Sequence, residues 1–231
     1  PSAHRGGAPR GTASSGLDAD RFVDFLQNHD QIGNRAFGER ITALAPERAV
    51  RAATAVLLLA PALPLLFMGE VWGASTPFLF FSDFGGELGA AVTEGRRREF
   101  AAWAAFADPQ ARERIPDPQA PATMEASRLQ WAEREAPPHA ALLAFHHELL
   151  ALRARAIVPH LAAGAAGDGY VVLDPATIVV RWRLGDGARL ALVARLGSAA
   201  TPVAYDVDGD AIFTLGDPGR EPWSVRWFLA A

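Results

Sequence analysis

The alternation of apolar and polar residues divides the chain into two parts. Up to about residue 155, short apolar runs alternate with longer stretches whose apolar residues recur at helical spacing. Beyond Gly164 the apolar runs are short and are separated by glycine and aspartate. The first part predicts alternating strands and helices, and the second predicts a small antiparallel β-domain. We place the domains at residues 1–158 and 159–231.

The longest apolar run, residues 52–68, approaches the length of a membrane-spanning helix. Two prolines three positions apart interrupt it, and a helix does not continue comfortably through them. The run therefore predicts a helix at residues 46–60 and a buried strand at residues 65–68. An earlier apolar run, residues 22–26, predicts another strand, and the helix between them permits parallel pairing.

The pattern after the second proline predicts a long connection, a closing helix and a sandwich. Apolar residues recur at helical spacing over residues 139–155, and the neighbouring His146 and His147 cannot form the i, i+4 pair of a helical zinc site.

The predicted strands of the β-sandwich are residues 170–173, 177–184, 190–196, 203–207, 211–215 and 224–228, with hairpin turns at Asp186-Gly187 and Asp208-Gly209. Alternation favours core packing over glucan binding for its tryptophans, Trp182, Trp223 and Trp227.

Composition and charge narrow the classes of partner. The net charge is −4, from 22 basic and 26 acidic residues, and no basic stripe recommends a nucleic-acid partner. The chain has no cysteine, which excludes disulfides and thiolate metal sites and fits a cytoplasmic protein. No secretory signal is visible, and the prolines argue against a membrane span.

Polar and ionisable residues follow the first predicted strand in a dense cluster. The cluster contains Asn28, His29, Asp30, Gln31 and Arg35. These side chains supply the hydrogen-bond donors and acceptors that a hydroxyl-rich ligand requires. The alternative for an isolated His-Asp pair is a surface turn with a capping aspartate, but the density of the whole cluster favours a binding site.

This cluster resembles the fourth sequence region of the alpha-amylase superfamily of glycoside hydrolases. The run from residue 27 to residue 35 is most similar to that of the maltooligosyltrehalose trehalohydrolase family within it. Three further blocks, residues 64–78, 94–100 and 116–119, resemble the same family in the same order. The resemblance covers residues 5–155.

The resemblance implies that the predicted strands are the seventh and eighth of a (β/α)8 barrel, followed by a long loop subdomain and a small antiparallel β-sandwich. A complete barrel needs roughly 250 residues, more than this chain of 231 provides beside its β-domain. We therefore expect a carboxyl-terminal fragment whose residues 1–20 belong to the loop after strand six.

The resemblance also implies a reaction. The family hydrolyses, with retention, the α-1,4 bond that joins a trehalose unit to a maltooligosaccharide, and it needs no cofactor or metal. Its nucleophile and its acid/base follow strands four and five, which are absent here, so we expect this chain alone to be inactive. The resemblance assigns Asp30 as the third carboxylate, which binds and distorts the sugar, and His29 as a donor to the same sugar.

Secondary roles are implied for five further residues. Asn28, Gln31 and Arg35 orient the His-Asp pair, whereas Glu70 and Trp72 line the substrate site after strand eight. The family usually has a second acid where this chain has Val71. Asp30 and Glu70 follow adjacent strands, but we do not expect them to form a self-sufficient catalytic pair.

Two alternatives stay open on the sequence. One is another alpha-amylase superfamily enzyme, a branching or debranching enzyme, and the other is a noncatalytic glucan-binding protein. The expected partner is maltooligosyltrehalose or a related α-glucan, and the oligomeric state is open. The triplet Arg96-Arg97-Arg98 predicts a solvated helix start and not a phosphate site.

Overall fold

The computed structural model describes residue 12, residues 16–198 and residues 201–231. The predicted loop at residues 1–20 therefore lies largely outside the described residues. The α-helices are α1 (His29–Gly33), α2 (Ile41–Leu44), α3 (Glu47–Leu59), α4 (Gly86–Glu99), α5 (Pro109–Glu113), α6 (Pro121–Ala126) and α7 (His139–Ala156). The strands are β1 (Val23–Asp24), β2 (Leu63–Pro64), β3 (Ala165–Asp174), β4 (Thr177–Leu184), β5 (Arg189–Arg195), β6 (Asp210–Leu215) and β7 (Ser224–Ala230). Short 3-10 turns lie at Ala19–Arg21, Glu70–Trp72, Phe100–Ala102, Ala104–Phe106, Trp131–Glu135 and Val158–His160.

The chain divides into two compact units. The helical unit comprises Phe25–Leu57 and Leu65–Leu150, and the sheet unit comprises the described part of Pro1–Asp24 together with Leu58–Pro64 and Ala151–Ala231. Helices α3 and α7 contribute residues to both. The domain boundary between residues 158 and 159 stays a prediction.

Helix α3 connects two parallel strands, as the proline-interrupted run predicts. Its first turn is closed by the carbonyl of Pro46, which accepts hydrogen bonds from the N–H groups of Ala49 and Val50 at 2.9 and 3.1 Å. The helix ends at Leu59, just before the first of the two prolines. Strand β2 then pairs in parallel with β1. The predicted helix and the parallel direction of the two strands are confirmed, but the second strand lies at residues 63–64 and not at 65–68.

The two strands are shorter than predicted, and β2 begins earlier. Leu63 pairs with Val23 and Pro64 with Asp24, whereas residues 65–68 are not strand. Pro64 has no N–H with which to extend the ladder. The N–H of Phe67 donates instead to the Glu70 carboxylate at 3.0 Å, which bends the chain into the following 3-10 turn. The strand predicted at residues 65–68 is therefore wrong.

The sheet unit contains one antiparallel sheet with the strand order β3-β4-β5-β7-β6. The predicted sandwich of two packed sheets is wrong for the residues that the structure describes, which add no second antiparallel sheet. Residues 203–207 are not a strand, although the Val203 N–H donates to the Gly219 carbonyl at 2.8 Å. The turn at Gly187, with φ of 94°, joins β4 to β5 as predicted. The rings of Trp182 and Trp227 stack at 5.5 Å. Trp227 is fully buried, which confirms its core role, whereas Trp182 and Trp223 are half-buried.

The helical unit has its own apolar core. Ala36, Phe100 and Ile115 form one buried cluster, against which Phe37 and Phe106 pack. Helix α7 confirms the predicted closing helix over its full length. Within the described ranges, no helix combines the length and the apolar character that crossing a bilayer requires.

Candidate active site

The His-Asp cluster folds as a short helix with a closed amino end. The carboxamide oxygen of Asn28 accepts from the Asp30 N–H at 2.8 Å, and the Asn28 N–H donates to Gln31 Oε1 at 3.0 Å. This reciprocal arrangement is a capping box, which satisfies N–H groups that a helix start leaves free. Asn28 and Gln31 therefore stabilise the first turn of α1, which contains the two residues between them.

His29 and Asp30 lie side by side at the start of α1 and are open to solvent. Their side chains are 68% and 67% exposed, and His29 Nε2 is 3.5 Å from Asp30 Oδ1. A carboxylate at a helix amino end is favoured by the helix dipole. The pair presents an acceptor and an imidazole that can bind adjacent hydroxyl groups of a sugar.

Arg35 is directed along the chain rather than towards Asp30. Its Nε donates to Glu39 Oε2 at 3.1 Å in an i, i+4 ion pair, and its side chain is partly exposed. Arg35 thus lies two residues after the end of α1 and pairs with Glu39. Its role in orienting the His-Asp pair stays a prediction.

Glu70 is buried, in contrast to Asp30. It is 5% exposed, and its Oε2 accepts from the Phe67 N–H. Burial raises the pKa of Glu70, and the hydrogen bonds from Phe67 and from the Gln27 side chain and the charge of Arg40 offset part of this rise. Gln27 follows β1 and Glu70 follows β2 along the chain, so the segments that leave the two parallel strands meet at these two side chains.

Arg40 fixes the turn that contains Glu70. Its Nε donates to the Thr76 carbonyl at 2.6 Å and its Nη1 to the Met68 carbonyl at 2.8 Å. Burial lowers the pKa of Arg40, while the charges of Glu70 and Glu133 raise it. The carbonyl oxygens on both sides of the turn are therefore held by one guanidinium group.

Trp72 is also buried, so little of its indole faces solvent. It is 4% exposed and packs against Trp131, with ring centroids 5.2 Å apart. Its carbonyl lies 2.9 Å from His139 Nδ1. Trp131 is 58% exposed and presents the accessible aromatic surface of this pair. The sequence pattern singles out Trp72, whereas the structure exposes its neighbour.

An apolar cavity of about 460 Å³ lies beside this turn. Trp72, Phe37, Val50 and Leu142 form much of its wall, and His29 and Asp30 do not line it. In the part of the chain that the structure describes, no three His, Cys, Asp or Glu side chains are grouped in a way that could hold a metal ion.

Arg96 is the residue near the His-Asp helix that the sequence pattern did not reveal. The triplet Arg96-Arg97-Arg98 lies in the last turn of α4, not at a helix start, and Arg96 is buried at 7% exposure. The expectation of a solvated triplet is thus wrong for Arg96. The signal in the sequence is Phe100, four residues later and therefore on the same helical face.

Comparison with curated proteins identifies relatives for most of the chain. The chain is 44% identical over 189 residues to the malto-oligosyltrehalose trehalohydrolase of Deinococcus radiodurans, covering 78% of this chain and 31% of that enzyme. It is 51% identical over 144 residues to the Arthrobacter ramosus enzyme of that name, covering 59% of this chain and 24% of the relative. By sequence, the chain is a relative of the malto-oligosyltrehalose trehalohydrolases. It spans about a third or less of their length.

Comparison with solved structures and family profiles adds the fold. A Salmonella typhimurium protein described as a candidate alpha amylase superposes with a TM-score of 0.83 at 42% identity, over 97% of this chain and 38% of that protein. An isomaltulose synthase from Klebsiella sp. LX3 superposes with a TM-score of 0.50 at 18% identity, over 90% of this chain and 42% of that protein, and shows the fold alone. Residues 165–227 match a profile described as a domain of unknown function, DUF3459. The chain therefore has the fold of part of an alpha-amylase-type protein.

Proposed function

We propose that this chain supplies the His-Asp sugar-binding element of a maltooligosyltrehalose trehalohydrolase. The reaction is hydrolysis, with retention, of the α-1,4 bond that joins the trehalose unit to the maltooligosaccharide. In this proposal β1 and β2 are the seventh and eighth strands of a (β/α)8 barrel. The observation that carries it is the exposed pair of His29 and Asp30 at the capped start of α1, just after a parallel strand.

The two exposed residues have separate roles in this mechanism. A retaining glycosidase uses a nucleophilic carboxylate and an acid about 5 Å apart, and the resemblance places both outside this chain. Asp30 binds hydroxyl groups of the sugar before the scissile bond, and it binds more strongly when the ring is distorted towards the oxocarbenium-like transition state. His29 donates a hydrogen bond to the same sugar.

The neighbouring residues hold this pair in place. Asn28 and Gln31 close the amino end of α1, and Arg35 and Glu39 pair at its other end. Glu70 is buried and stabilises the adjoining turn. We therefore assign it a structural role and no role in catalysis.

The test is to incubate the product of the complete gene with maltotriosyltrehalose. We expect equimolar trehalose and maltotriose, and NMR of the nascent maltotriose should show the α-anomer first. Amylose and pullulan serve as comparison substrates. New α-1,6 branches in amylose, rapid cleavage of pullulan, or glucan binding without trehalose release would each contradict the proposal.

A further inference from the structure

Arg96 reaches across 63 residues of sequence to the helix that carries the His-Asp pair. Its Nη2 donates to the Gly33 carbonyl at 2.6 Å and to the Arg35 carbonyl at 2.7 Å. Gly33 is the last residue of α1, and Arg35 lies two residues later. The last carbonyls of a helix have no partner within the helix, and a cation at this end is favoured by the helix dipole. Arg96 therefore caps the carboxyl end of α1.

The guanidinium group is fixed by aromatic rings as well as by these bonds. Its central carbon lies 4.8 Å from the ring centroid of Phe80 and 5.2 Å from that of Phe100. Burial lowers the pKa of Arg96, and the charge of Glu99 partly offsets this effect. A planar cation held between rings has little freedom to rotate, so its donors define where the two carbonyls must lie.

Helix α1 depends on such outside support. It has five residues, too few to be stable as an isolated helix in water. Its amino end is closed by its own capping box, whereas its carboxyl end is held by α4, which belongs to the long connection after β2. The orientation of His29 and Asp30 thus depends on a residue far from them in sequence.

The geometry points to Arg96 as a positioning residue that holds the His29–Asp30 pair in its productive orientation. The inference rests on the proposed function for its catalytic consequence, but not for its structural one. Displacing a catalytic group by about 1 Å can reduce the rate roughly a hundredfold. We therefore expect loss of Arg96 to act on kcat, through Asp30, more than on KM.

The first test follows the structure itself. Arg96→Met keeps an apolar stem between the two rings and removes the donors, and Arg98→Met is the matched control, since Arg98 is 75% exposed on the same helix. In the product of the complete gene, amide hydrogen exchange should accelerate about tenfold over residues 29–35 in Arg96→Met. The control should match the parent. Unchanged exchange in a folded Arg96→Met protein would overturn the inference.

The second test follows catalysis. Arg96→Met should lower kcat on maltotriosyltrehalose about a hundredfold with KM within about threefold, and Arg96→Lys should recover part of the loss. In an Asp30→Asn background the same substitution should cost much less, because both changes then affect one interaction. If the double variant lost kcat by the product of the two separate losses, the inference would be overturned. A normal kcat in Arg96→Met would also overturn it. If the parent releases no trehalose, the proposed function fails, while the exchange experiment still decides the role of Arg96.

Discussion

Two carboxylates follow the two parallel strands along the chain, and their surroundings are opposite. Asp30 lies at a helix start with most of its side chain in solvent, whereas Glu70 is buried and accepts a backbone hydrogen bond. A ligand can reach the first but not the second without a rearrangement. Sequence position alone presents the two as equivalent, whereas the structure distinguishes an accessible carboxylate from a buried one.

The burial of Glu70 predicts a defined pH dependence of stability. Its pKa is raised above the ordinary value of 4.5, chiefly by desolvation, so the folded protein binds this proton more tightly than the unfolded chain does. The contribution of Glu70 to the free energy of unfolding should therefore fall as the pH rises from about 4.5 through its raised pKa. Urea unfolding of the parent and of Glu70→Gln over this range measures it.

At each pH, the free energy of unfolding of the variant is subtracted from that of the parent. This difference should decrease as the pH rises. Glu94→Gln, at a side chain that is 78% exposed, is the control for loss of a surface carboxylate. A parent-minus-variant difference for Glu70 that is constant or increases with pH would show that burial does not govern this group.

At the scale of elements, buried arginines fix the ends of helices and turns. Arg40 and Arg96 each donate to two backbone carbonyls in the helical unit. In the sheet unit, Arg195 is fully buried and donates to the carbonyls of Pro218 and Thr201 at 2.8 Å. A guanidinium group carries five donors in a fixed plane, so one side chain can satisfy several carbonyls where the chain leaves regular structure.

The stability that a buried arginine contributes by donating to backbone carbonyls can be measured at Arg153. It is 8% exposed and donates to the carbonyls of Leu58 at 3.0 Å and Ala62 at 2.8 Å, and also to that of Ala60. These carbonyls lie in the last turn of α3 and in the segment between α3 and β2. Arg153→Met leaves them without a donor and should lower the free energy of unfolding by about 2–4 kcal/mol.

The measurement is urea unfolding at pH 7, with Arg155→Met as control, because Arg155 is exposed on the same helix. The control should lie within about 0.5 kcal/mol of the parent. Equal effects of the two substitutions would mean that the carbonyl contacts of Arg153 contribute no measurable stability.

At the scale of the whole molecule, the sequence predicts the elements better than their packing. The prolines after α3 predict the parallel β1–α3–β2 arrangement, and helical spacing predicts α7, because these signals act over a few neighbouring residues. The single antiparallel sheet and the short parallel strands were not predicted. Sheet pairing depends on partners that are distant in the chain, so local pattern does not determine it.

In the candidate site, too, local features could be predicted from the sequence and long-range contacts could not. The His29–Asp30 pair and its capping residues Asn28 and Gln31 lie at four consecutive positions, where the sequence shows them directly. The burial of Glu70 and Trp72 and the role of Arg96 depend on contacts made across the fold. The Arg96 contact with Gly33, for example, joins residues 63 positions apart. The local capping arrangement thus lies within reach of sequence pattern, whereas the burial of Glu70, Trp72 and Arg96 does not.

Kinetics of two variants decide whether Asp30 or Glu70 supplies the carboxylate that binds the sugar. In the product of the complete gene, kcat and KM are measured on maltotriosyltrehalose for Asp30→Asn and Glu70→Gln. Losing a charged hydrogen bond at a water-excluded transition state costs about 3 kcal/mol, so Asp30→Asn should lower kcat at least about a hundredfold with a smaller change in KM. Glu70→Gln should lower kcat much less. A near-normal kcat for Asp30→Asn, or a larger loss for Glu70→Gln, would contradict the account.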